Sequence, residues 1–93
     1  MNLKIVNESF LQLEYETDPK AYDETRYFEE EGSEPFNAHS AKQMLIMLNT
    51  LGHDLLLDEY ALKKLEYFLR GELPFFAVNR RLVRQWVTQN FLF

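Results

Sequence analysis

The chain contains no cysteine, which removes disulfides, thiolate metal sites and a cysteine nucleophile from consideration. It has three glycines and three prolines in 93 residues and no repeat period, so collagen-like, linker-like and solenoid architectures are excluded. No stretch reaches the roughly 20 consecutive apolar residues that a membrane span requires. Met1 to Phe10 also lacks the charged-then-apolar pattern of a secretory leader. A cytoplasmic protein with no membrane partner is therefore expected.

Catalytic motifs are missing as well. There is no glycine-rich phosphate loop, no Gly-x-Ser-x-Gly and no His-Glu-x-x-His, the patterns that serve nucleotide binding, acyl transfer and zinc hydrolysis. The two histidines are His39 and His53. His53 and Asp54 are adjacent and do not converge on one ion, and no third ligand can be named. The run Glu29-Glu30-Glu31 sits beside a loop, where solvated carboxyls are not tuned for proton transfer. The expectation is a protein without enzymatic activity, cofactor or metal.

What is present is an ordinary globular composition, with 46% hydrophobic and 27% charged residues, at a length that suits one domain over residues 1–93. Its net charge of −5 is unevenly spread. Residues 1–36 carry ten acids against Lys4, Lys20 and Arg26, a local charge of −7, whereas residues 37–93 carry seven bases against five acids. Such asymmetry reports on partners more than on fold.

The two halves also differ in periodicity. Leu3 to Val6 is short and rich in β-branched residues. Phe10 to Thr17 then alternates, with Leu11, Leu13 and Tyr15 on one face and Gln12, Glu14 and Glu16 on the other, which reads as a hairpin. Asp18-Pro19 ends it. Thr25 to Glu30 reads as a third strand, with a short helix over 19–30 as the competitor. Glu31 to Pro35 is a loop. From Asn37 the apolar spacing becomes helical. A helix over 38–51 is expected, capped by Asn37 or Ser40 and stopped by Gly52. A second over 58–70 is capped by Asp58 and stopped by Gly71, with Glu59–Lys63 and Glu66–Arg70 as outer-face pairs. A third over 79–90 is capped by Asn79, with Leu82, Val83, Trp86, Val87 and Asn90 inward and Arg80, Arg81 and Arg84 outward. The pattern thus predicts an α+β fold: a two- or three-stranded antiparallel sheet in the acidic, β-rich residues 1–36, packed on three helices in residues 37–93. Leu45, Leu48, Leu62, Leu65, Phe68, Leu82 and Trp86 would form the core.

The most informative functional feature is the acidic front: Glu14, Glu16, Asp18, Asp23, Glu24, Glu29, Glu30, Glu31 and Glu34, interleaved with Tyr15, Tyr22, Tyr27 and Phe28. Charge of this kind speeds encounter with a basic protein, while aromatic anchors supply buried energy. The pattern points to a non-enzymatic inhibitor that presents carboxylates where phosphates would lie. Its most concrete form is a phage or mobile-element blocker of a host defence or nucleic-acid-handling complex, or a toxin immunity protein. An alternative is a small nucleic-acid-binding regulator using Arg80, Arg81 and Arg84, although those arginines can equally pair with the acidic front inside the fold or in a homodimer. A third reading is a subunit that self-associates through Phe75, Phe76, Phe91 and Phe93.

Overall fold

The computed structural model describes residues 6–91. Among the described residues three helices carry the fold, α1 (Ala41–Leu55), α2 (Glu59–Gly71) and α3 (Arg80–Asn90), with one 3-10 turn at Glu8–Phe10. Each helix starts on a short polar side chain that accepts a free backbone amide. Ser40 accepts from Gln43 N, Asp58 from Ala61 N at 2.8 Å and Asn79 from Leu82 N at 2.8 Å. α1 packs against both α2 and α3. The radius of gyration is 12.2 Å, close to the ~12 Å that chain length alone gives for a compact domain.

The expected sheet does not form: among the described residues there is no β-strand, only one parallel bridge between Glu16 and Ser40. The fold is therefore mostly helical rather than α+β. Leu3 to Ile5, three of the four residues of the first expected strand, lie outside the described residues. The expected third strand, and its competing helix, are replaced by consecutive turns over 24–30, tied by Glu30 N and Glu31 N to the Arg26 carbonyl.

The physical reason lies in where the backbone hydrogen bonds of the front half go, since a buried amide or carbonyl must find some partner. Here the partners are helix side chains. The Asn49 amide pairs both backbone groups of Val6, accepting from its N–H at 2.9 Å and donating to its carbonyl at 3.2 Å. Glu66 accepts from the N–H of Gln12 at 2.9 Å and of Leu13 at 3.2 Å. Arg70 donates to the carbonyls of Glu14 and Ala38, and Arg81 to those of Phe28 and Glu29. The alternation sorts the faces in part: Leu11 and Tyr15 pack on the core and Gln12, Glu14 and Glu16 are exposed, but Leu13 is only half-buried and Phe10, in step with the exposed residues, is buried.

Several helix details also differ from expectation. α1 runs through Gly52 to Leu55 and ends instead at Leu56, which takes the left-handed conformation with φ 54°. The Leu57 amide closes the end by bonding the Gly52 carbonyl at 2.9 Å. Gly52 serves helix packing: a Cβ there would stand 3.0 Å from Leu62 Cδ2 on α2. Glu66 is not an outer-face partner of Arg70 but is fully buried. On α3 the inward residues are Arg80, Val83 and Val87, whereas Leu82 is exposed and Trp86 is half-buried, stacked on Phe68 at 5.4 Å. Of the expected core, Leu48, Leu62 and Leu65 are fully buried, joined by Tyr27, Met44, Met47 and Leu51.

Candidate functional site

The acidic segment is held onto the helices by its aromatic and main-chain groups, which leaves its carboxylates outside. Tyr27 has no solvent exposure and lies edge-to-face with Phe28 at 5.0 Å. Its hydroxyl donates to Gln43 Oε1 at 2.7 Å, and Gln43 Nε2 donates to the Tyr22 hydroxyl at 2.9 Å. Tyr22 in turn donates to Asp18, which also accepts from the Ser40 hydroxyl. Glutamine, able to donate and accept at once, is the residue type that can link two phenols, one buried and one half-buried.

Tyr27 and Phe28, expected as docking anchors, are therefore core residues, and Tyr15 and Tyr22 are half-buried and hydrogen-bonded. Burial pushes the Tyr27 and Tyr22 phenols up, with the Asp18 carboxylate adding to the shift at Tyr22. The Ser40 hydroxyl, then that of Tyr22, holds Asp18 below the ordinary carboxylate value. Hydrogen bonds from the Thr25 side chain and amide do the same at Asp23.

The carboxylates divide into two groups. Glu30 pairs with Arg26 four residues away, and Glu31 with Arg80 at 3.4 Å. Glu14, Glu16, Glu24, Glu29 and Glu34 are exposed and form no ion pair among the described residues. Together with Asp23 they are the exposed carboxylates that the acidic segment leaves without an ion pair among the described residues.

The three arginines of α3 all have partners within the fold, although Arg81 is exposed and Arg84 half-buried. Arg80 is buried, its guanidinium 3.9 Å from the Tyr27 ring centre and 5.6 Å from that of Tyr22. Arg81 lies on the Phe28 and Glu29 carbonyls. Arg84 grips Asp54 with two hydrogen bonds, at 2.8 and 3.1 Å, and covers the Phe28 ring. The first amides of α3 are also occupied, Arg80 N by the Glu34 carbonyl and Arg81 N by that of Gly32. An anion approaching this helix end meets no idle donor there. Arg81 and Arg84 line an open groove of about 700 Å³ with Gln85, Thr88 and Gln89, but Glu29 and Asp54 line it too.

The aromatic residues near the C-terminus separate. Phe91 is buried beside Phe68, and Phe93 lies outside the described residues. Phe75 and Phe76 are 93% and 54% exposed. No group of three or more His, Asp and Glu side chains among the described residues is placed to hold a metal ion. No described helix is long and apolar enough to cross a membrane.

Sequence reasoning missed Arg80 and Glu66 as buried polar anchors. Glu66 was hidden by its four-residue spacing to Arg70, and Arg80 by two further arginines on the same helix. No family model, curated protein sequence or solved structure matches this chain.

Proposed function

We propose that this is a non-enzymatic cytoplasmic protein that binds and occludes a basic, nucleic-acid-handling protein through its acidic surface. The supporting observation is the uneven use of charge inside the fold. The α3 arginines and Arg70 are spent on carbonyls, aromatic rings, Asp54 and Glu31. Five glutamates of the front segment, Glu14, Glu16, Glu24, Glu29 and Glu34, face solvent without an ion pair among the described residues. A surface of this sign accelerates encounter with a positively charged cleft and places carboxylates where phosphate oxygens would bind. Stoichiometric blockage follows from occupancy alone and calls for no catalytic group.

The test reverses exposed charges and leaves the folding contacts alone. Glu24→Lys, Glu29→Lys and Glu34→Lys together spare Glu31, which touches the buried Arg80. The triple variant should keep its melting behaviour and associate with the partner captured from host lysate at least about tenfold more slowly at low salt. The difference should shrink as salt rises. Equal association at all salt concentrations overturns the proposal.

A further inference from the structure

The expected aromatic anchors are buried or half-buried and already bonded within the fold, so the acidic surface needs its apolar contact elsewhere, and the connection between α2 and α3 supplies one. Leu73 and Ala77 pack inward on the core, and the Ala77 amide closes a turn onto the Pro74 carbonyl at 3.0 Å. Between these two fixed points Phe75 and Phe76 project outward, 93% and 54% exposed, with their rings edge-to-face at 5.7 Å. Val78 and Leu82, which follow in the chain, are exposed apolar residues as well. The far end is fastened by the Asn79 cap and by Arg80 N on the Glu34 carbonyl. That last bond joins the aromatic loop to the end of the acidic segment. A turn held in this way presents aromatic rings with little conformational entropy left to lose on binding.

Magnitudes decide the occupant. The exposed parts of these four side chains sum to on the order of 400 Å². Two copies meeting patch to patch would cover on the order of 800 Å², the size of a lattice contact and below the ~1,200 Å² of a stable interface. A second copy also carries the same net charge of −5, and like charge opposes self-association. A different protein, with an apolar pocket rimmed by lysine or arginine, satisfies both the rings and the carboxylates.

We propose that Phe75 and Phe76 insert as a pair into such a pocket on the basic partner, as the anchor of the interface that the acidic surface steers. This rests on the function proposed above, and the experiment separates the two. A photo-crosslinking phenylalanine analogue is placed at position 75 or at position 29 of the full chain in host cells, and crosslinked peptides are mapped. Dissociation of the identified partner is then measured for Phe75→Ala/Phe76→Ala beside the charge-reversed triple variant. Both positions should capture the same basic protein, position 75 within an apolar pocket bordered by Lys or Arg. The double alanine variant should dissociate about 30-fold faster with its salt dependence unchanged.

Capture at position 29 but not 75, or unchanged dissociation of the double variant, overturns the anchor and leaves the acidic interface standing. Capture of a second copy of this chain, or of a non-basic protein, at position 75 also overturns the anchor. Capture of a basic protein at neither position overturns both proposals.

Discussion

Arg80 and Tyr27 meet in the interior, guanidinium over ring at 3.9 Å, and neither side chain reaches solvent appreciably. The contact joins α3 to the acidic segment, with further hydrogen bonds from Arg80 to the Tyr27 and Glu31 carbonyls at 3.5 and 3.4 Å. Its Nε is buried without a partner, so the aromatic face and the Glu31 carboxylate carry much of the charge compensation.

Arg80→Ala should lower stability by about 3 kcal/mol or more, since it empties a packed site and strips the acidic turn of its tether. Arg80→Lys should recover less than half of that loss, because an ammonium lacks the planar face that stacks on the ring. Urea unfolding with unchanged slope measures both. A loss under about 1 kcal/mol for alanine would show that the stack contributes little.

Glu66 performs the corresponding task for residues 12–15, where its carboxylate accepts two main-chain amides and the Tyr15 hydroxyl. Glu66→Ala should cost about 3 kcal/mol and Tyr15→Phe about 1.5 kcal/mol, with the double variant costing less than the sum. The double-mutant cycle reads the coupling directly. Additive losses would mean that the hydroxyl and the carboxylate act independently.

Two glycines give opposite expectations. At Gly32 a Cβ would lie 2.1 Å from the Phe28 carbonyl oxygen and 2.4 Å from Arg81. Gly32→Ala should therefore destabilise by about 2 kcal/mol or more through backbone displacement. Gly71, the last residue of α2, has nothing within 4 Å of such a Cβ, and Gly71→Ala should stabilise by about 0.5 kcal/mol. Thermal unfolding of the pair distinguishes a steric need for glycine from its mere presence.

The helices were legible because their signals are local. Ser40, Asp58 and Asn79 stand immediately before apolar residues spaced at three and four, and each became a cap. The front half was less so. Alternation put Leu11, Leu13 and Tyr15 on one face, of which Leu11 and Tyr15 pack on the core while Leu13 is only half-buried, and nothing near them reveals that Glu66, more than fifty positions away, would take the place of a neighbouring strand. Charge was readable at Glu24, Glu29 and Glu34. The burial of Tyr27 and Phe28 was not, because aromatics between acids suit a docking face and a core-facing turn equally well.

Stability should fall at both extremes of pH. The depressed Asp18 and Asp23 carboxyls favour the charged folded form. Their contribution is present above the ordinary carboxylate value of about 4 and is lost as pH drops through the lower folded value. Asp18→Asn should flatten the acid limb of melting temperature against pH. The raised Tyr15 and Tyr27 phenols, displaced first by burial, contribute below about pH 10 and lose that contribution as pH climbs past it. Absorbance at 295 nm should leave at least two tyrosines protonated at about pH 11. Complete ionisation of all five tyrosines there, with the fold intact, contradicts the burial of these two phenols.

The side-chain tethering of residues 6–36 bears on how the protein is made. These residues are synthesised before the groups that fix them, Asn49, Glu66, Arg70, Arg80 and Arg81. At about 5–20 residues per second, several seconds of translation separate Tyr27 from its Arg80 partner. Among the described residues the acidic half has no sheet of its own to fold into meanwhile, so it takes its shape on helices completed after it, and a stalled nascent chain would carry the negative segment without the scaffold that orients it.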